Sequence, residues 1–144
     1  MTVQGGRDLR VGVIGAGGIA ALLHLPELTA IDGVEVVVVA GRRRQRLRRL
    51  CDHFHVARST SEYQEVIDDR QVDAVVVATP HPMHVAWGVK ALQAGKHVLM
   101  QKPLCGDLDE AHTFVAAAEA AEATVMCLPH FAPAVYRARE LCQE

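Results

Sequence analysis

Residues 11–20 read V-G-V-I-G-A-G-G-I-A, and Gly15, Gly17 and Ala20 match the spacing G-x-G-x-x-A. That spacing suits a pyrophosphate. Gly15 permits a tight strand-to-helix turn, Gly17 lets a phosphate approach bare backbone, and Ala20 keeps the helix close to its sheet. Ala16, Gly18 and Ile19 complete the turn, beyond which a helix N-terminus offers free N–H groups and a partial positive charge. Glycines also occur where a chain merely reverses. Here they follow an apolar run, open a helical stretch and precede a second apolar run, which is the context dinucleotide binding requires.

The second strand should end at the ribose. An NAD site usually carries Asp or Glu about 20 residues beyond the glycines, whereas arginine accommodates the 2′-phosphate of NADP. In this chain the strand ends Gly41-Arg42-Arg43-Arg44, with no acid; Asp32 and Glu35 fall at the wrong end. NADP is therefore the first choice of cofactor and NAD the second, with Gly41, Arg42 and Arg43 as the contacting residues. Six arginines lie between Arg42 and Arg49, too many for one phosphate, so most belong to a solvated helix face. No aromatic residue is interleaved and the net charge is −2, which argues against nucleic acid as a partner.

Lys102 directly follows the expected strand at 97–101, His97-Val-Leu-Met-Gln. Ligands of open α/β sheets bind beyond the carboxyl ends of strands, where an ammonium can steady an alkoxide or pass a proton. Its plain alternative is a surface lysine. Eight histidines raise the question of metal. The closest pairs, His53/His55 and His81/His84, have no identifiable third ligand, so no metal is expected. His97 reads as structural, and His130 and Trp87 as core or pocket. Cys51, Cys105, Cys127 and Cys142 form no C-x-x-C pair and read as reduced thiols.

The elements that must position these groups alternate. Strands are expected over residues 9–14, 34–40, 73–79, 97–101 and 124–128. Helices are expected over 19–30 (bent or shortened by Pro26), 43–53, 61–69, 83–93, 107–123 and 132–141, with Thr60 or Ser61 capping the third, Gly95 closing the fourth and Asp107 capping the fifth. Alternation of this kind implies right-handed βαβ units and a doubly wound parallel sheet, covered on both faces.

Composition agrees. Half of the 144 residues are apolar and 4% are aromatic, so Val, Ala, Leu and Ile must build the core, as in a sheet buried on both faces. Arg7 and Arg10 ahead of the apolar residues 11–23 could pass for an export signal, but four glycines break that run and it leads into further βα units. A cytoplasmic protein, without membrane association, is expected.

Three motifs together resemble the glucose–fructose oxidoreductase/inositol dehydrogenase/rhizopine-catabolism (Gfo/Idh/MocA) family: the glycine turn, A-T-P-H-P-M-H at 78–84, and A-G-K-H-V-L-M-Q-K-P-L at 94–104. The resemblance implies an NAD(P)-binding Rossmann domain over residues 1–128, with 129–144 beginning the crossover into an absent second α/β domain. It implies oxidation or reduction of a carbon–oxygen bond in a sugar, inositol or related polyol. Thr79 and Pro80 match a loop lying against the cofactor, His84 its histidine, and His81 stands where asparagine is common. Lys102 and Pro103 match the Lys-Pro of a Glu-Lys-Pro motif whose lysine sits near the nicotinamide, making Lys102 the catalytic candidate. Gln101 replaces the glutamate; it can still bond a ribose hydroxyl but carries no charge. Without the second domain this chain is expected to bind cofactor with little turnover, and to self-associate through exposed apolar surface. The alternative is a non-catalytic nucleotide-binding sensor or partner-binding module.

Overall fold

In the computed structural model, residues 7–128 are described. Valine-rich segments supply the strands: β1 (Leu9–Ile14), β2 (Val34–Ala40), β4 (Ala74–Val77) and β5 (His97–Met100). β3 (Arg58–Thr60) and β6 (Val125–Cys127) close the two edges. All pair in parallel, in the order β3-β2-β1-β4-β5-β6, so the Rossmann architecture expected from the sequence is the one observed.

Alternate residues feed two cores. Ile14, Val75, Val77, Val98 and Met100 pack beneath α3 (Tyr63–Asp68), α4 (His84–Gln93) and α5 (Leu108–Ala120). Val11, Val13, Val39 and Val76 face α1 (Leu25–Thr29) and α2 (Arg44–Phe54) on the other side. Period-two side-chain alternation makes a two-faced sheet out of uninterrupted apolar runs.

Several boundaries differ from expectation, each for a local reason. Pro26 does not break its helix. A π-helical turn, Ala20–His24, precedes it, closed by the Leu25 N–H on the Ala20 carbonyl. Pro26 then falls in the first turn of α1, where a missing N–H has no partner to lose. β3 was not expected at all, since Arg-Ser-Thr has no apolar pattern; pairing of residues 58–60 with Val38, Val39 and Ala40 creates it. α3 starts at Tyr63 with Glu62 as N-cap, correcting Thr60 or Ser61. The Thr60 hydroxyl instead accepts from the Glu62 N–H at 3.0 Å, an alternative turn that delays the helix. β4 stops at Val77, β5 at Met100 and α5 at Ala120, each earlier than expected. Asp107 does cap α5, accepting from the Glu110 N–H at 2.8 Å, and Gly95 (φ +73°) does end α4. The helix expected over 132–141 lies outside the described residues. No described helix is long and apolar enough to cross a membrane.

Candidate functional site

The motif residues collect at the carboxyl ends of four neighbouring strands. Ile14 sits beside Ala40 on one flank and Val77 on the other, and Val77 sits beside Met100. The segments that follow these residues are the glycine turn, Gly41-Arg42-Arg43, Thr79-Pro80-His81 and Gln101-Lys102-Pro103. Residues up to 88 apart in sequence, Gly15 and Pro103, thus share one edge of the sheet because all the strands run the same way.

The glycines divide the labour. Gly15 adopts φ +111°, and a Cβ there would lie 2.5 Å from the Ala78 carbonyl carbon and 2.8 Å from the Thr79 nitrogen. Only glycine fits, because the turn and the β4 loop touch backbone to backbone. Gly17 is the opposite case: nothing lies within 4 Å of where its Cβ would be, so the space above it is open to a ligand. Gly41 is packed tightly, its virtual Cβ 2.5 Å from that of Ala16, which lets the end of β2 press against the turn. Gly18 and Ile19 are exposed at the start of the helix.

Gly15, Ala16, Gly17, Gly41, Arg42, Arg43, Ala78 and Pro80 line a cleft of about 200 Å³, together with Arg46 and Tyr63. Arg46 was not singled out from sequence. It stands one helical turn after Arg43, and i, i+3 spacing on α2 was the signal that could have found it. Among the described residues Arg42, Arg43 and Arg46 make no ion pair, so three cations face the cleft unneutralised. A roomier cleft of about 410 Å³ opens at the amino ends of the strands, lined by Arg10, Glu35, His55 and Arg58 among others. The smaller cleft is the cofactor candidate, because ligands of parallel sheets bind beyond carboxyl ends and the open glycine lies there.

His84 is fully buried, and each of its ring nitrogens meets a carbonyl oxygen: Nδ1 that of Pro103 at 2.7 Å, Nε2 that of Thr79 at 2.8 Å. It ties the β4 loop to the β5 loop. His81 is exposed in the intervening 3₁₀ turn, His81–Met83. Thr79 is buried, and its hydroxyl has no protein partner among the described residues. Gln101 is buried too, and its Oε1 accepts the Lys102 backbone N–H at 2.8 Å, so that oxygen is already engaged. Lys102 is exposed, and the Lys102–Pro103 peptide is cis.

Residues outside the cluster serve packing. The His97 Nδ1 accepts from the Thr124 N–H at 2.9 Å, joining β5 to β6. Trp87 meets Tyr63 edge-on at 5.3 Å and lies beneath the Lys90 ammonium. Cys51, Cys105 and Cys127 are free thiols, and burial pushes Cys51 and Cys127 up. No group of three metal-ligating side chains occurs among the described residues. His130 and Cys142 lie outside them.

Known proteins resemble this arrangement. The model of an oxidoreductase family with an NAD-binding Rossmann fold (GFO_IDH_MocA) matches residues 9–128. A dTDP-3,4-didehydro-2,6-dideoxy-alpha-D-glucose 3-reductase of Actinomadura kijaniata is 40% identical over 110 residues, covering 76% of this chain and 33% of the reductase. The Bacillus subtilis scyllo-inositol 2-dehydrogenase (NADP(+)) IolW is 30% identical over 111 residues, covering 77% of this chain and 30% of that enzyme. A crystal structure of a 3-ketoreductase from Actinomadura kijaniata with NADP and TDP-benzene superposes with a TM-score of 0.81 at 33% identity, over 95% of this chain and 44% of that one. The chain thus spans about a third of the length of the curated relatives it matches.

Proposed function

This chain belongs to the Gfo/Idh/MocA oxidoreductase family, and from that premise we propose that it is an NADP(H)-binding domain serving oxidation or reduction of a carbon–oxygen bond in a sugar, inositol or related polyol. The observation that carries the proposal is the convergence of four motif-bearing strand ends around a glycine whose virtual Cβ meets nothing. An open Gly17 in a cleft that Arg42, Arg43, Ala78 and Pro80 also line fits a dinucleotide.

Gly15 to Ile19 would hold the pyrophosphate through backbone N–H groups. Arg42 and Arg43 would hold the 2′-phosphate, with Arg46 adding positive charge to the same cleft. Thr79, Pro80, His81, His84, Gln101 and Pro103 would shape the nicotinamide end. The bound nicotinamide would supply or accept hydride. Lys102 would hold or pass the proton of the reacting hydroxyl at Nζ, which no described residue engages. The curated relatives it matches are about three times as long.

Calorimetric titration with NADPH and with NADH tests this. NADPH should bind at least about tenfold tighter, the order of one or two charge-assisted hydrogen bonds. Arg42→Ala with Arg43→Ala should erase that preference and leave NADH binding. Binding of neither cofactor would overturn the proposal.

A further inference from the structure

Gln101 divides its two polar atoms between the fold and the surface. Its side chain is buried, and the Lys102 backbone N–H lies 2.8 Å from it. That group can only donate, so the amide atom facing it must be the oxygen. The nitrogen takes the other branch. It has no partner among the described residues, yet it is not enclosed, since the enclosed unpartnered side-chain atoms are His24 Nε2 and Thr79 Oγ1. The amide thus turns its N–H groups, the positive end of its dipole, outward at the carboxyl end of β5. Lys102 follows, exposed, and no described carboxylate lies within ion-pair distance of it. The next acids in the chain are engaged at the start of α5: Asp107 accepts the Glu110 N–H and Glu110 the Gly106 N–H, each at 2.8 Å.

Strand order decides which half of a dinucleotide meets this end. The arginines follow β2 on one flank of the glycine turn, and β4 and β5 lie on the other. With the 2′-phosphate at the arginines and the pyrophosphate at the turn, the nicotinamide falls over β4 and β5, roughly 5–10 Å beyond β1 at ordinary strand spacing. Resting on that reading of the cleft, we propose that Gln101 determines which redox form of the cofactor the site prefers: its outward amide nitrogen, beside an unneutralised Lys102 ammonium, favours NADPH over NADP⁺. The oxidised ring carries a positive charge and the reduced ring none, so a nearby cation repels only the oxidised form. A carboxylate at position 101 would offset the ammonium and attract that ring; an amide whose oxygen is already spent does neither. The preference suits a reductive cycle at its two binding steps, reduced cofactor entering and oxidised cofactor leaving, though not at the transfer between them. In that cycle a carbonyl carbon gains hydride from the reduced cofactor, and its oxygen gains a proton from Lys102 Nζ.

Calorimetric titration of the whole chain with NADPH and with NADP⁺ tests this. The two share the adenosine, the 2′-phosphate and the pyrophosphate, so the ratio of their dissociation constants reports the nicotinamide end alone. NADP⁺ should bind at least about fivefold more weakly. Gln101→Glu keeps an oxygen for the Lys102 N–H and should move the ratio about tenfold towards NADP⁺, while the preference for NADPH over NADH stays. Lys102→Met, at an exposed position, should move the ratio the same way and decides the matter if Gln101→Glu does not fold. Equal affinity for the two forms in the unsubstituted chain would overturn the proposal. So would a ratio that folded Gln101→Glu, or Lys102→Met in its place, leaves unmoved. Binding of neither form would instead overturn the cofactor reading, and this inference with it.

Discussion

The two ends of the sheet use polar side chains in opposite ways. At the amino ends Asp73, Asp69 and Lys96 are tied down. Asp73 accepts from the Arg10 backbone N–H at 3.0 Å and from the Arg7 guanidinium at 2.7 Å, and Asp69 pairs with Arg58. The Lys96 ammonium donates to the carbonyls of Asp69 and Val72. At the carboxyl ends Arg42, Arg43, Arg46 and Lys102 stand without described partners, and the Thr79 hydroxyl is buried without one. Partnered charges hold strand entries together and contribute modestly to stability. Unpartnered ones keep their capacity to interact with an incoming ligand.

The largest expected effect sets two carboxyl-end glycines against each other. Gly15→Val should destabilise the fold by about 3 kcal/mol or more, because it combines a positive φ with backbone collision. Gly17→Val, in open space with an ordinary φ, should move the urea midpoint little, within about 0.5 kcal/mol, yet weaken NADPH binding at least about tenfold. Equal loss of stability in both variants would break the comparison.

A smaller effect is expected at the amino end. Partial burial pushes the Asp73 carboxyl up, but the Arg10 N–H and the Arg7 and Arg10 charges outweigh it and hold the group below its ordinary 3.8. The unfolded chain then takes up protons first, so this contribution is complete above about pH 3.8 and fades as pH falls through the lower folded value. Asp73→Asn should cost about 1 kcal/mol at neutral pH with NADPH affinity unchanged, and the cost should shrink in acid. A change in affinity would mean that the two ends are coupled.

The smallest concerns His24, buried on the helix that follows the glycine turn with Nε2 unpartnered. Burial lowers its pKa and Glu27 only partly opposes this, so the folded state resists the proton that the unfolded chain accepts. Stability should therefore start to decline as pH drops below 6.5, well above the carboxylate range. Denaturant titrations at pH 7.5 and 5.5 should differ by a fraction of a kcal/mol, and His24→Phe should remove that difference; a slope that persists would assign it elsewhere.

How much was legible follows from what each feature depends on. The glycine turn, β2, the Asp107 cap and the Gly95 stop rest on residues adjacent in sequence, and the sequence sufficed to find them. So did the unbroken valine runs, because a strand buried on both faces has no polar alternation to disguise it. β3 was hidden, since three polar residues become a strand only by pairing with β2. Arg46 was hidden among six arginines until α2 brought it to the cleft that Arg42 and Arg43, just ahead of the helix, also line.

The sequence alone determined the order of the elements and the chemistry each strand end could offer, because periodicity, turns and caps are local. Tertiary structure decided which strand ends became neighbours, that His84 spends both ring nitrogens on the Thr79 and Pro103 carbonyls, and that Gln101 turns its oxygen to the Lys102 N–H. It also decided which arginines face the cleft. Those outcomes depend on distances between residues far apart in the chain, and parallel pairing in the order β2-β1-β4-β5 is what sets them.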